Sequence, residues 1–129
     1  MTIFSKIIAG QIPSYKIAES EKFYAFLDIF PCTDGHTLIV PKIEIDAILD
    51  LPEDYLDGIL SFAKPIGAAI KKAFPCNRVN IVTVGFEVPH AHIHLIPMQG
   101  IQDMHILSKK TKPSPEHLQM VQEKILGLL

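Results

Sequence analysis

The sequence predicts a single α+β domain, and three observations carry that expectation. Short runs of aromatic and branched residues, bounded by turn residues, lie between Tyr15 and Pro41 and again between Val79 and Pro97, which is how half-buried strands read. One long stretch from Pro52 to Phe74 repeats its apolar residues at the 3.6-residue period of a helix. Between Pro89 and Pro97, His90, His92 and His94 alternate with Ala91, Ile93 and Leu95, a two-residue period that gives a strand one polar and one apolar face.

A chain of 129 residues is one ordinary domain with room for a real core. Apolar residues at 48% and charged residues at 20% argue against disorder, and a net charge of -2 gives no general attraction to polyanions, so nucleic acid is not an expected partner. No apolar run approaches the roughly 18 residues that span a bilayer. Met1-Thr2-Ile3-Phe4-Ser5-Lys6 also lacks the basic-then-apolar opening of a secretory signal. A cytoplasmic protein without membrane association is expected. Cys32 and Cys76 form no C-x-x-C pair, which suits reduced thiols better than a disulfide framework.

Taken in order, Thr2 can cap a short helix carrying Ile3, Phe4, Ile7 and Ile8, ended by Gly10 and Pro13. Tyr15–Ala18 and Phe23–Ile29 read as a hairpin across the polar turn Glu19–Lys22. Asp28 then stands at a strand end, where a turn role and a functional role are both open. Pro31–Gly35 is a loop that delivers His36 into the strand Thr37–Pro41. Ile43–Leu51 reads as a short helical or irregular connection. Pro52, Glu53 and Asp54 open the long helix with an acidic first turn. Its stripe of Leu56, Ile59, Leu60, Ala63, Ile66, Ile70, Ala73 and Phe74 is expected to cover the sheet, with a kink at Pro65. Val79–Val84 is a further strand that passes through Gly85–Val88 into the histidine segment, and this pair is expected at the centre of the sheet. Beyond Pro97 the chain loosens, with Lys109, Lys110 and Lys112 in a solvated basic loop. Ser114, Pro115 and Glu116 open a final helix with Leu118, Val121, Ile125 and Leu128 on one side. His105 and His117 read as surface residues.

The histidine segment carries the chemistry. On an extended strand the three imidazoles share one face at spacings of about 6.6–6.8 Å, with His92 in the middle. Imidazole serves as nucleophile, general acid or base, or metal ligand, according to its protonation and what holds its second nitrogen. In one reading the histidines bind zinc, with His36 as an available fourth ligand, although Glu87 is the one carboxylate near the motif to support it. In another, His92 attacks an electrophilic phosphorus while a neighbouring imidazole stabilises charge. A purely structural role is the third. Spacing leaves the first two open.

The run His90-Ala91-His92-Ile93-His94-Leu95-Ile96 resembles the motif of the histidine triad (HIT) family, His-x-His-x-His followed by two apolar residues. Ile3–Ile8 with Ile12-Pro13, Phe26–Ile29 and Gly35–Lys42 are similar to the corresponding segments of its Hint-type branch. The likeness covers Ile3 to about Pro97, leaving 98–129 as a C-terminal extension of one domain spanning 1–129. It implies a HIT-like fold with a five-stranded antiparallel sheet, a short N-terminal helix, one long helix and an extra C-terminal helix, paired into a homodimer whose sheets join. It also implies hydrolysis or transfer at the α-phosphate of a purine nucleotide or nucleoside phosphoramidate, with no cofactor and no metal. By the same resemblance His92 is the nucleophile that forms a nucleotidyl-histidine intermediate. His94 binds phosphate and assists the leaving group, His90 orients His92, and His36 completes the imidazole network. Asp28 binds the ribose hydroxyls, Phe4, Ile7, Phe26 and Ile29 line the base pocket, and Gly85, Glu87 and Val88 belong to the phosphate side.

The chain departs from the family pattern in three places. The Asn-x-Gly ahead of the motif is missing, and the usual Gly-Gln pair reads Gly85-Phe86, so the phosphate-side loop is shorter. Glu87 replaces a hydroxyl residue, and its carboxylate would repel an anionic substrate if turned inward. Ser5 stands where zinc-binding relatives carry a cysteine. A nucleotide-binding interaction protein with weak catalysis is the alternative these departures leave.

Overall fold

The computed structural model describes residues 1–129, the side chain of Ile106 excepted. In chain order the elements are α1 (Ile3–Ile8), β1 (Lys16–Glu19), β2 (Phe23–Leu27), β3 (Thr37–Pro41), α2 (Glu53–Ala73), β4 (Arg78–Val82), β5 (Ile93–Met98) and α3 (Pro115–Leu126). Short 3-10 segments at Ile48–Asp50 and Ile101–Ser108 complete them. The strands form one antiparallel sheet in the order β1-β2-β3-β5-β4.

Alternation divides the strand residues between two cores. Phe23, Ala25, Leu27, Ile39, Ile93 and Leu95 face α2 and α3, meeting Ile59, Ile66, Ile70, Val121 and Ile125. Tyr24, Phe26, Leu38 and Val40 face the other way and meet Phe4 and Ile7 of α1. That is why all five residues of β2, and all five of β3, are buried. The small α1 layer leaves part of its face open, and Asp28, His36, His92 and His94 gather there.

Both terminal helices begin as the sequence indicates. The Thr2 hydroxyl accepts from the Ser5 N–H at 3.1 Å, and the Ser114 hydroxyl accepts from the His117 N–H at 3.1 Å with Pro115 in the first turn. Gly10, at φ 78°, turns the chain out of α1 in a backbone region that favours glycine. The long helix runs through Pro65 without a break. Pro65 and Ser61, whose carbonyl loses its helical donor, both lie on the exposed face.

Several expectations change. The strand pair flanking Gly85 is not the centre of the sheet: β3 is, bonded to both β2 and β5, while β4 is an edge with Ile81 54% exposed. The strand expected across His90–Pro97 starts only at Ile93, and the hairpin strand ends at Leu27, where Asp28 folds into a turn. Leu60 leaves the apolar stripe and is exposed, because it sits roughly 100° around the helix from Ile59. Leu128 lies beyond the end of α3 and is also exposed. No helix among the described residues is long and apolar enough to cross a membrane.

Candidate active site

Strand register assembles the site. Phe26 pairs with Leu38 and Leu38 with His94, so these three project on the α1 face. Two residues beyond Phe26 is Asp28 and two before Leu38 is His36, and the Asp28 N–H bonding the His36 carbonyl at 3.1 Å carries the same parity past the strand ends. His36 Nε2 thereby comes within 2.8 Å of His94 Nδ1 and 3.7 Å of Asp28 Oδ2.

The hydrogen bonds determine each ring's tautomer. The Cys32 N–H donates to His36 Nδ1 at 3.0 Å, which leaves the proton of a neutral His36 on Nε2 and directs it to His94 Nδ1. His94 in turn carries its proton on Nε2. Burial lowers both pKa values to about 4, so both rings are neutral near pH 7. His90 donates from Nε2 to the Pro41 carbonyl at 2.9 Å, and its Nδ1 accepts from the Thr2 hydroxyl at 2.7 Å. Its own carbonyl accepts from His92 Nδ1 at 2.6 Å. His92 therefore keeps a free lone pair on Nε2.

The three motif histidines do not act as one row of imidazoles. His90, 1% exposed, spends both ring nitrogens on pinning the α1 cap to the end of β3. The rings of His92 and His94 stand 5.1 Å apart, with Phe4 edge-on to His92 at 5.1 Å. The two face a cleft of about 570 Å³, within the range of small-molecule sites.

Asp28, His36 and His94 place three donor atoms within 4.8 Å of one another, a spacing that invites a metal ion. The protonation pattern opposes it. With His36 Nδ1 already accepting from Cys32, ligation through Nε2 would require moving the ring proton against that donor. His36 and His94 form instead a hydrogen-bond relay that starts at the Cys32 N–H, with Asp28 beside it.

A model described as the HIT domain matches residues 9–101. The chain belongs to the HIT domain family. It is 32% identical to an uncharacterized HIT-like protein of Saccharolobus solfataricus over 100% of this chain and 98% of that one. It is 41% identical to an adenosine 5'-monophosphoramidase of Saccharomyces cerevisiae, covering 74% of this chain and 61% of the yeast protein. Among solved structures, a Hit-like protein from Bartonella henselae, described as involved in cell-cycle regulation and with an unknown ligand, superposes at TM-score 0.85. It shares 30% identity, over 99% of this chain and 96% of that one. The five-stranded antiparallel α+β architecture is thus that of the HIT fold.

Within this HIT domain, Phe4, Ile7, Phe26, Asp28, Ile29, His36, Gly85, Glu87, Val88, His92 and His94 all line the cleft; His90 alone of the sequence candidates stands behind it. Asp28 keeps both of its readings. One oxygen accepts from the Phe30 N–H at 2.9 Å as a turn residue, while burial pushes its carboxyl above the ordinary value. Glu87 points largely to solvent, 75% exposed, and pairs with Lys110 at 2.9 Å.

Lys110 and Leu107 are cleft residues that the sequence reading leaves in a loose tail. The segment is tied back by Thr111, whose N–H and hydroxyl both bond the Pro31 carbonyl, at 3.0 and 2.8 Å. The basic run was the available signal, but nothing local tells a solvated lysine from one carried back across the fold. His117, expected as a plain surface residue, pairs with Asp34 at 2.8 Å. Both cysteines are free.

Proposed function

We propose that this HIT protein is a nucleotide hydrolase or transferase acting at the α-phosphate of a purine nucleoside phosphoramidate or related nucleotide, with His92 as nucleophile. The observation that carries the proposal is the His92 tautomer. The His90 carbonyl holds the Nδ1 proton, so Nε2 presents a lone pair in a cleft of nucleotide size. Attack by Nε2 forms a bond to phosphorus as the bond to the leaving nitrogen or oxygen breaks. The leaving group departs with a proton lent through His94 Nε2–H. Water then attacks the same phosphorus, releases His92 and returns the proton. Apolar walls from Phe4, Ile7, Phe26 and Ile29 suit a base, and Asp28 suits the ribose hydroxyls. The name of the yeast relative supports a phosphoramidate substrate. Turnover of adenosine 5'-phosphoramidate by the wild type and by His92→Ala tests this: activity lost in the variant is expected, and equal rates refute it. Nucleotide binding without turnover by the wild type would instead favour an interaction protein.

The same reading includes a homodimer. The sheet has two edges; Gln122 of α3 donates to the Lys16 carbonyl on β1 at 2.8 Å, whereas β4 exposes Ile81, with Val84 and Phe86 following it. A second copy docking along β4 would cover this apolar strip and join the two sheets. Sedimentation should give twice the chain mass, reduced to one chain mass by Ile81→Lys. A cytoplasmic location fits the free thiols.

A further inference from the structure

We propose that Lys110 is the cation that receives the substrate's phosphate, with Glu87 as the counter-ion that holds it while the cleft is empty. This rests on the nucleotide reading above and adds a specificity-determining residue from outside the segment matched by the HIT domain, which ends at residue 101.

Four observations converge on it. Among the described residues lining the cleft, Lys110 is the one Lys or Arg. His36 and His94 do not supply a positive charge, since both rings are neutral near pH 7. An anionic substrate would therefore meet the carboxylates of Asp28 and Glu87 with one fixed cation to offset them. Second, Lys110 is delivered by the backbone: the two hydrogen bonds that Thr111 donates to the Pro31 carbonyl seat it against the loop that carries Cys32 and His36. Its field reaches Asp28, Cys32 and His36.

Third, the Lys110 ammonium bonds both Glu87 oxygens, at 3.1 and 2.9 Å. The two side chains are 50% and 75% exposed, so the pair is weak and open to exchange. An ammonium on a flexible four-carbon stem can swap a carboxylate for a phosphate without moving the backbone. Fourth, the segment ahead of the motif presents Phe86, 92% exposed, beside Glu87, with no hydroxyl or amide side chain from Gly85 to Val88 to bind phosphate. The C-terminal segment fills that gap with a charge.

The test compares AMP with adenosine as calorimetric ligands of the full chain. Lys110→Met should weaken AMP by about five- to tenfold, a value below that of a fully buried charged contact because the site is half open. Adenosine binding should hold, and Lys110→Arg should restore most of the preference. Glu87→Gln should tighten AMP by roughly two- to fivefold, since it frees the ammonium and removes a nearby anion. A purely structural clasp predicts that both variants weaken binding alike, because each breaks the same pair, so opposite directions are the signature. Shifts in the same direction, or an unchanged AMP preference in Lys110→Met while the wild type still turns over phosphoramidate, overturn this inference and leave the catalytic reading standing. A wild type that binds neither ligand overturns both.

Discussion

Acid should unfold this protein through its buried histidines, and His36 provides the worked case. Its pKa is about 4 in the folded chain against an ordinary value of 6.5, the causes being burial first and the nearby Lys110 ammonium second. Above about pH 6.5 the ring is neutral folded or unfolded and contributes no pH dependence. As pH falls from about 6.5 to about 4, the unfolded chain binds a proton that the fold refuses, so stability is lost at about 1.4 kcal/mol per unit. Over that window His36 accounts for about 3 kcal/mol. His94 has the same direction and the same value, discounted to about half because its ring opens on the cleft. Asp28 opposes the trend, since its raised pKa makes the protonated form the favoured one in the fold. The clean assay is urea unfolding followed by circular dichroism across this range for the wild type and His36→Gln. The variant should be less stable near neutrality, and its deficit should shrink by about 3 kcal/mol on acidification to about pH 4. A deficit that stays constant refutes the assignment of His36 as a buried neutral ring.

Three other substitutions probe the architecture. Phe4 is 7% exposed and touches Phe26, His90 and His92, so Phe4→Ala should cost about 3 kcal/mol in thermal or urea unfolding and raise KM for nucleotide. Thr2→Val removes a helix cap and the donor to His90 Nδ1 together. A loss of about 2 kcal/mol and a reduced kcat are expected, with Thr2→Ser close to wild type in both. Ile125 is fully buried against the main core, so Ile125→Ala should cost about 3 kcal/mol, which calorimetry would detect as one lowered cooperative transition if α3 folds with the sheet.

The parts of the fold read most easily from sequence are those whose signal is local. Thr2 and Ser114 act as caps, the 3.6-residue stripe from Ile59 to Ala73 is buried, and Ile93 and Leu95 face the core as their alternation requires. The misjudged parts depend on long-range pairing. Nothing in Val79–Val84 marks it as an edge, because an edge is defined by the absence of a neighbour. The alternate histidines mimic a strand that begins only at Ile93; His90 and His92 owe their positions to Pro41, Thr2 and a carbonyl hydrogen bond. The motif marked His92 and His94, and the family resemblance marked Asp28 and His36; all four line the cleft, and register explains why Asp28, His36 and His94 share a face. The place of Lys110 in the cleft was not legible, because it is set by Thr111 meeting Pro31 across 80 positions of sequence.

The proposed reaction requires His92 Nε2 to bond to phosphorus. Rapid quenching of the enzyme with adenosine 5'-phosphoramidate, at neutral to alkaline pH where a phosphorus-nitrogen bond to imidazole survives, followed by peptide mass spectrometry, tests it directly. A nucleotidyl adduct is expected on the peptide containing His92, chased away by further incubation and absent from His92→Ala. Rapid turnover with no adduct at any quench time, or an adduct that persists in His92→Ala, would contradict it.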